Sequence, residues 1–450
     1  MRVLLAAPPL FGHVAPLAAV GAELVARGHD VVLLTGADHE PVAARAGLGF
    51  RALPDNPAEL SVQRRTRGAR RRARVVEGRE QVLETFVRPI PAQHRALTRL
   101  LHEAPRWDVV LCDASFLGVL PTLLGAGARP PILAVSATPL SLVSVDVAPF
   151  GSAMQPGRSA FSRMRNQQIQ WLLMHGPWRP VQRELEEVLA RCGVSARGVD
   201  YFDHAAWFDG TFHLAPTELE YPRRELPASV RFVGPLRLDS PAHVPLPDWW
   251  GDLEGEVVVH VTQGTLDNDD LRKLIGPTVR GLADARVLTV VTTGGRPVDA
   301  VREAVGGPLP ANARVAEFLP YAALLPLTDV VVSNGGYGGV QESLRHGVPL
   351  VVAGDSEDKP EVAARVRRVG AGVDLRTGTP SGRQVRRAVS RVLRDPTYAV
   401  NAARLQRSIV ALGDPRDRIA DAVEVAVRER WSHDPDGVFR AGFAGPTLSG

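Results

Sequence analysis

The sequence contains few cysteines, very few lysines and no long hydrophobic run, and each of these absences excludes a class of protein. Cys112 and Cys192 are the only cysteines, too few for a disulfide framework, so reduced thiols and a cytoplasmic location are expected. No apolar run approaches the roughly 20 residues that span a bilayer, and no membrane-spanning helix is predicted. Prolines and a Gly-His pair interrupt the apolar start MRVLLAAPPLFGHVAPL, which favours a buried first strand over a signal peptide.

Lysine is nearly absent, since Lys273 and Lys359 are the only lysines and arginine supplies the remaining positive charge. The 53 basic residues are nearly balanced by 49 acidic ones, which argues against a nucleic-acid partner. One cluster stands out, RRTRGARRRAR at Arg64–Arg74, and it contains no aromatic residue for base stacking. Two interpretations of it remain open: a solvated loop, or a flap that meets an acidic acceptor or partner.

The first part of the chain alternates apolar strands with helical stretches. The strand Val3–Ala6 is followed by a helix at about Ala15–Arg27, which stops at Gly28, and then by the apolar strand Asp30–Thr35. A strand, a helix and a strand at this spacing predict a parallel βαβ unit. The pattern continues with a helix near Glu77–Glu103, the strand Asp108–Cys112, a helix near Phe116–Leu124 and the strand Pro131–Val135. A doubly wound α/β domain is therefore predicted for residues 1–233, with ligands bound beyond the carboxyl ends of its strands.

A proline-rich stretch divides the chain. Residues 234–252 include the sequence GPLRLDSPAHVPLPDWW, whose prolines disfavour helices and central strands, so a linker between two domains is predicted. A second α/β pattern covers residues 253–412, a helix at 413–430 is expected to return to the first domain, and 431–450 form a tail. The elements predicted in this half are the strands Val257–Val261, Val287–Thr292, Val330–Ser333 and Pro349–Val352, and the helices near Asp269–Ala283, Val340–His346, Lys359–Val369, Gln384–Leu393, Ala399–Leu412 and Asp417–Arg430.

A glycine-rich turn, SNGGYGG at Ser333–Gly339, follows one of these strands and precedes a helix. Glycine lets the backbone approach a ligand closely, and the N–H groups at the start of a helix bind anions. A tight turn without a ligand is the alternative. The turn matches neither G-x-G-x-x-G nor the GK[ST] of a P-loop, which disfavours a dinucleotide dehydrogenase and an ATPase.

The segment around this turn resembles a known family. Residues 314–366, RVAEFLPYAALLPLTDVVVSNGGYGGVQESLRHGVPLVVAGDSEDKPEVAARV, are similar to the donor-binding signature of the UDP-glycosyltransferases, and more narrowly of the bacterial macrolide-type enzymes. The resemblance extends from GHVAP at Gly12–Pro16 to about Arg430. It implies the GT-B fold, in which two Rossmann-like domains face a central cleft: an acceptor-binding domain, 1–233, and a nucleotide-sugar-binding domain, 253–412.

The same resemblance implies the reaction. A hexose is expected to pass from a UDP- or TDP-sugar to a hydroxyl or amine of a small apolar natural product, such as a polyketide or aromatic aglycone. The family resembled inverts the anomeric configuration and needs no metal, and no further cofactor is expected beside the nucleotide-sugar co-substrate. No cluster in the sequence has metal-ligand spacing. Nucleotide, sugar, acceptor and oligomeric state remain open.

The resemblance also assigns donor-binding positions. Phe318 is expected to stack on the nucleotide base, Leu319 to contact the base edge through its backbone, and Glu342 to accept hydrogen bonds from the ribose. From the residues alone, Phe318 in the core and Glu342 on a helix surface are the alternatives. The other donor-binding positions are Thr265, Asn334, Gly335, Gly336, Gly338 and Gly339 near the phosphates, and Asp358 and Lys359 at the sugar.

Three of these positions depart from the family pattern. Asn334 stands where the family has histidine, Gly339 where it has a small hydroxyl residue, and Lys359 where it has glutamine. Asparagine can donate a hydrogen bond but carries no charge, whereas lysine adds a point charge with three donors. Positive potential is thus expected to move from the diphosphate toward the sugar, unless Lys359 itself reaches the diphosphate.

Two residues at strand ends are the candidate catalytic pair. His13 follows the first strand in a predicted loop, where an imidazole with a pKa near neutrality suits a general base, although a locally bonded turn histidine is the alternative. Asp113 ends another strand and is expected to fix the tautomer of His13. The family has a His–Asp dyad at matching positions. An apolar acceptor cavity, or alternatively the core, is predicted for Leu10, Phe11, Phe86, Phe116 and Trp171.

Three other function classes compete with sugar transfer. A nucleotide-sugar 2-epimerase of the same fold requires acid and base groups around C2 of the sugar, and it gives a new isomer from donor alone. A non-catalytic accessory protein of a biosynthetic pathway fits the altered donor signature, and its complexes survive loss of His13 or Asp113. A nicotinamide oxidoreductase is disfavoured because the fingerprint and the ribose-binding acid after the first strand are missing.

Overall fold

Two parallel β-sheets, one of seven and one of six strands, form the centres of two α/β domains. A computed structural model describes residues 1–54, 78–157, 159–196, 198–237, 244–265 and 267–428. The arginine cluster Arg64–Arg74 and the tail 431–450 lie outside the described residues. The two sheets confirm the predicted α/β fold class with two Rossmann-like domains.

The first sheet has the strand order β3-β2-β1-β4-β5-β6-β7, so the chain reverses direction across the sheet between β1 and β4. In such sheets ligands bind beyond the carboxyl ends at this reversal point. The strands are β1 Arg2–Ala6, β2 Asp30–Thr35, β3 Gly49–Ala52, β4 Val109–Asp113, β5 Ile132–Ser136, β6 Gly210–His213 and β7 Val230–Phe232. The helices are α1 Phe11–Ala26, α2 Glu40–Arg45, α3 Ile90–Leu101, α4 Leu120–Leu124, α5 Ala160–His175 and α6 Arg179–Arg191, with a π-helical segment at Leu83–Val87.

The second sheet has the order β10-β9-β8-β11-β12-β13, with its reversal between β8 and β11. Its strands are β8 Val258–Thr262, β9 Leu288–Thr292, β10 Ala313–Ala316, β11 Val330–Ser333, β12 Leu350–Val352 and β13 Gly372–Asp374. The helices that follow the linker are α7 Ile275–Leu282, α8 Asp299–Val305, α9 Tyr321–Leu324, α10 Tyr337–Arg345, α11 Lys359–Arg368, α12 Gly382–Arg394, α13 Thr397–Leu412 and α14 Pro415–Arg428.

Apolar residues cover both faces of each sheet, because alternate residues of a strand point to opposite sides. In the first sheet, Leu5 packs with residues of α1 and α14, whereas the adjacent Leu4 packs with residues of α3. In the second, Val332 packs with α7 and α12, whereas Val331 packs with α10 and α13. Uniformly apolar strands are therefore what this architecture requires.

The last helix, α14, returns to the first domain. Ile419 and Val423 are buried in one cluster with Leu17 and Val20 of α1. Arg27 joins the two helices, because its guanidinium donates to Asp421 at 2.6 Å. The C-terminal helix thus fastens the chain end to the first domain.

The structure differs from the predicted start of the first helix. The helix begins at Phe11, not at about Ala15, because the carbonyl of Leu10 accepts hydrogen bonds from the N–H groups of His13 and Val14. Pro16 lies inside the helix and cannot donate to the carbonyl of Gly12, but Gly12 is exposed and solvent can reach it. His13 therefore lies in the first turn of α1, and its predicted placement in a loop is wrong.

Candidate active site

The pair His13–Asp113 lies where the first sheet reverses. β1 and β4 pair directly, with Ala6 beside Cys112, so Asp113 at the end of β4 lies next to the segment that leads from β1 into α1. His13 Nδ1 is 3.0 Å from Asp113 Oδ1, and the side chains are only 14% and 3% exposed. Asp113 also accepts the N–H of Ser115 at 2.8 Å, which fixes the carboxylate.

The surroundings make His13 more basic. Burial by itself lowers the pKa of His13, but the negative charge of Asp113, its hydrogen bond and the charge of Asp358 outweigh burial and raise the pKa above the ordinary 6.5. When Nδ1–H donates to Asp113, Nε2 is the ring atom that can take up a proton. Asp358 belongs to the second domain, and its charge is among those that raise the pKa of His13.

The glycine turn forms the start of α10. Gly336 precedes the first helical residue, Tyr337, so the N–H groups of Tyr337, Gly338 and Gly339 have no carbonyl within the helix to bond. Gly338 and Gly339 are exposed, and a Cβ at either would meet nothing within 4 Å. Gly335 has a φ of +90°, and a Cβ there would lie 2.8 Å from Val352. The helix start is thus open to an anion, and Gly335 permits the turn beneath it.

Asn334 ties this turn to the loop after β8. Its side-chain Nδ2 donates to the carbonyl oxygen of Gln263 at 2.6 Å. That loop continues into Gly264 and Thr265, both exposed, and a Cβ at Gly264 would lie 3.9 Å from Asn334 Oδ1. The asparagine therefore serves as a link between two loops at the carboxyl ends of neighbouring strands.

The residues predicted for the nucleotide differ in exposure. Phe318 is 43% exposed, and its ring covers Gly295, where a Cβ would lie 3.1 Å from the ring. The core alternative for Phe318 is therefore wrong. Leu319 is buried among Leu288 and Val290. Glu342 on α10 lies 3.2 Å from His346 Nε2, so its carboxylate has a fixed partner.

Asp358 and Lys359 stand at the start of α11. Burial, and to a lesser degree the charge of Glu357, raise the pKa of Asp358 to about 6, against the lowering effects of Lys359 and His13. The side chain of Lys359 is 5% exposed and its ammonium lies 2.5 Å from Glu357 Oε2. Lys359 thus directs its charge into a carboxylate of its own domain.

The five residues predicted to contact an acceptor lie in different places. Leu10 and Phe11 begin α1 beside His13, and the ring of Phe86 lies edge-on to the imidazole with 6.1 Å between the centroids. Phe116 has no exposed surface and belongs to the core under β4, which favours its core alternative over a cavity wall. Trp171 is 59% exposed on α5 and stacks on His175.

A buried ion-pair network between the domains escaped the sequence analysis. Arg365 of α11 donates to both carboxylate oxygens of Glu220, at 3.0 and 2.9 Å, and to Glu361 at 2.9 Å. Tyr337 of the glycine turn donates its hydroxyl to Glu220 at 3.0 Å. Glu220 follows β6 in a stretch without periodicity, so no local pattern marks it. Glu361 in turn accepts the N–H groups of two residues in the first domain, Gly151 and Ala153.

A second histidine, His204, also escaped the sequence analysis. Burial lowers its pKa, and the charges of Asp113 and His13 are among the groups that act on it. Its Nδ1 lies 2.8 Å from the carbonyl oxygen of Tyr201.

Within the ranges that the structure describes, no helix is long and apolar enough to cross a membrane, and no three His, Cys, Asp or Glu side chains are grouped as metal ligands.

Comparison with protein families and curated proteins gives a consistent set of matches. The family model for the C-terminal domain of erythromycin biosynthesis protein CIII-like proteins matches residues 296–425. The 4'-demethylrebeccamycin synthase of Lentzea aerocolonigenes is 37% identical over 441 residues, covering 94% of this chain and 98% of the relative. The UDP-glycosyltransferase 2 of Phaeomoniella chlamydospora is 34% identical over 441 residues, covering 94% and 95%.

Solved structures share the fold. CalG4, the calicheamicin glycosyltransferase, superposes with a TM-score of 0.71 at 23% identity and covers 96% of this chain and 99% of its own. The glycosyltransferase of kitacinnamycin gives a TM-score of 0.70 at 24% identity, with 95% and 99% coverage. The two-domain arrangement is therefore common to this chain and to those enzymes.

Proposed function

Because the chain belongs to the UDP-glycosyltransferase family and is a glycosyltransferase, we propose that it transfers a hexose from a UDP- or TDP-sugar to a small apolar natural product with inversion. The family assignment rests on relatives that are at least 30% identical along nearly the whole chain. The observation that carries the finer proposal is the pair His13–Asp113, joined at 3.0 Å where the first sheet reverses. A cytoplasmic location remains a prediction from Cys112 and Cys192.

His13 is the proposed general base. Its Nε2 takes the proton from a hydroxyl or amine of the acceptor while that atom attacks the anomeric carbon. Asp113 holds Nδ1–H and stabilises the imidazolium that forms. The bond between the anomeric carbon and the diphosphate oxygen breaks, and its electron pair leaves with the diphosphate. A single displacement from the opposite face inverts the anomeric configuration.

The diphosphate is proposed to leave toward the start of α10. The N–H groups of Tyr337, Gly338 and Gly339 and the helix dipole stabilise negative charge there. Asn334, occupied with the carbonyl of Gln263, adds no positive charge. Backbone donors therefore supply the stabilisation that a histidine supplies elsewhere in the family. In this reaction the chain uses no metal and no organic cofactor.

The nucleotide is proposed to lie along the loops that follow β8 and β10. Phe318 offers an exposed ring on which the base can stack, and the backbone of Leu319 can contact the edge of the base. Glu342 can accept hydrogen bonds from the ribose, and Thr265 has a hydroxyl near the phosphates. Both nucleotides deserve testing, since relatives are named as UDP-glycosyltransferases and one solved structure is of the glycosyltransferase VinC in complex with DTDP.

The acceptor is proposed to approach His13 along an apolar wall. The ring of Phe86 lies against the imidazole, and Leu10 and Phe11 stand at the start of the same helix, which suits a polyketide or an aromatic aglycone. The relative named 4'-demethylrebeccamycin synthase supports a natural-product acceptor. Asp358, which influences His13 from the second domain, is proposed to bind the sugar between acceptor and diphosphate.

A donor panel tests this function. The purified chain is incubated with UDP-glucose or TDP-glucose, alone and with aromatic or polyketide aglycones, and the products are analysed by mass spectrometry and NMR. We expect an acceptor that gains one hexose in the inverted configuration. A new sugar isomer formed from donor alone indicates a 2-epimerase instead. If no nucleoside diphosphate raises the thermal unfolding midpoint of the protein, the proposed donor site is wrong.

A further inference from the structure

The only two lysines of the chain bind the same carboxylate. Lys273 Nζ lies 2.8 Å from Asp267 Oδ1, and Lys359 Nζ lies 3.4 Å from Asp267 Oδ2. The first lysine precedes α7, whereas the second begins α11, so residues far apart in sequence meet at Asp267. Lysine is otherwise absent from the sequence, so this meeting does not reflect a generally lysine-rich surface.

The ammonium of Lys359 is surrounded by acceptors. Besides Asp267, it lies 2.5 Å from Glu357 Oε2 and 3.2 Å from Ser356 Oγ. Three acceptors match the three hydrogens of an ammonium group. We call Asp267, Lys273, Ser356, Glu357 and Lys359 the lysine clasp. Within it, two carboxylates balance two ammonium groups.

The lysine clasp borders the proposed sugar site. The stem of Lys359 packs under the glycine turn, because a Cβ at Gly335 would lie 3.6 Å from its Cβ and one at Gly354 would lie 2.6 Å from it. Asp267 belongs to the loop that Asn334 joins to the same turn. Asp358, which precedes Lys359, is one of the charged groups that raise the pKa of His13.

The charges around the proposed sugar site bear on which donor sugars it can accept. The carboxylates of Asp267 and Glu357 offset the two ammonium groups of the lysine clasp, and the carboxyl group of Asp358 adds negative charge beside Lys359. We propose that Asp267 and Glu357, by neutralising Lys359, make the sugar site select donors with an uncharged sugar and reject those with a uronic acid. This inference rests on the proposed sugar transfer and names the donor class that the transfer uses.

Removing one carboxylate should relax this selection. An uncompensated ammonium attracts a carboxylate at about 6 Å strongly enough to change its binding by on the order of tenfold to a hundredfold at an effective dielectric constant of about 20. Glu357 is 42% exposed and Asp267 is 14% exposed. Asp267→Asn should therefore have the larger effect, and Glu357→Gln, on the more exposed side chain, is the variant better tolerated by folding.

The test compares kcat/KM for UDP-glucose with that for UDP-glucuronate. We expect the wild-type protein to prefer UDP-glucose, and Asp267→Asn and Glu357→Gln to lower this preference at least about tenfold. Adding Lys359→Gln to Glu357→Gln should restore the preference, because Lys273 and Asp267 then remain as an ion pair and the ammonium that lost its carboxylate is gone. Asp299→Asn, the same change in an exposed ion pair with Arg302, should leave the preference unchanged.

The possible failures are distinguishable. A wild-type protein that transfers glucose but uses UDP-glucuronate equally well refutes the selection by charge. The selection is also refuted if both variants transfer glucose with a preference for UDP-glucose over UDP-glucuronate that stays within about twofold of the wild-type value. If Asp267→Asn does not fold, Glu357→Gln alone decides this outcome. Absence of transfer from UDP- and TDP-sugars alike refutes the proposed function, and with it this inference.

Discussion

The substitution Asp113→Asn tests the proposed catalytic pair, His13–Asp113, most directly. Asparagine retains the size of the side chain and an oxygen that can accept from His13 Nδ1, but it removes the negative charge. Hydrogen bonds to charged groups contribute about 1.5–3 kcal/mol, and neutral ones about 0.5–1.5 kcal/mol. Because both side chains are largely buried, at 14% and 3% exposure, solvent screens little of this difference.

The expected loss is therefore about 1.5 kcal/mol of transition-state stabilisation, or at least about tenfold in kcat/KM for the acceptor. A rotated amide that favours the wrong tautomer of His13 would enlarge the loss toward about 10²-fold or more. The assay is initial-rate transfer at saturating donor, with Asp299→Asn as the matched control on an exposed carboxylate. A kcat/KM within twofold of the wild type would refute the role of Asp113.

The pH dependence gives an independent readout. In the proposed mechanism transfer requires neutral His13, so the rate should rise with pH through the pKa of His13, which the charge of Asp113 raises above 6.5 against the effect of burial. Asp113→Asn should move this acidic limb to lower pH, and a shift to higher pH would contradict the argument. The raised pKa also means that protonated His13 stabilises the fold below about pH 6.5 and loses this contribution as pH rises through its folded pKa. The destabilisation by Asp113→Asn, measured by urea unfolding, should accordingly be larger at about pH 5.5 than at about pH 8.5.

Three further changes probe the rest of the site. Gly335→Ala places a Cβ 2.8 Å from Val352 at a φ of +90°, which strains the glycine turn. Calorimetry should therefore detect at least about tenfold weaker binding of a nucleoside diphosphate, and unchanged affinity would exclude the turn as the anion site. Tyr337→Phe leaves Glu220 without a hydroxyl donor in a buried network, and thermal unfolding should give a loss of about 1–3 kcal/mol, whereas an unaltered midpoint would contradict this contribution. EDTA should not change the transfer rate, and a loss that Mg²⁺ restores would overturn the metal-independent mechanism.

The sheets could be predicted because their strands are marked locally. A strand buried on both faces must be apolar throughout, so runs such as Asp30–Thr35 and Val330–Ser333 stand out from their surroundings. The start of α1 is not marked in this way. Pro8, Pro9 and Gly12 suggest a turn before the helix, and the hydrogen bonds from the N–H groups of His13 and Val14 to the carbonyl of Leu10 extend the helix into that segment.

The partners of Lys359 could not be predicted from its neighbourhood in the sequence. Its replacement of glutamine suggested a cation offered to the donor, but burial of an ammonium group requires paired acceptors. One of them, Asp267, lies almost a hundred residues earlier, and only the adjacency of β8, β11 and β12 brings its loop to α11. Non-local charge pairing is therefore the part of this site that a single sequence conceals.

The buried network around Arg365 explains how a site divided between two domains retains its geometry. A buried guanidinium with one missing partner costs about 3–5 kcal/mol, so separating the domains at Glu220 is disfavoured. Tyr337 belongs to the same network, which ties the start of α10 to the first domain. Arg365 lies on α11, the helix that begins next to Asp358. The proposed anion-binding turn, the proposed sugar-binding carboxylate and the domain that carries His13 are therefore joined through one set of charges. In the proposed mechanism, a base in one domain can thus face a leaving group held by the other.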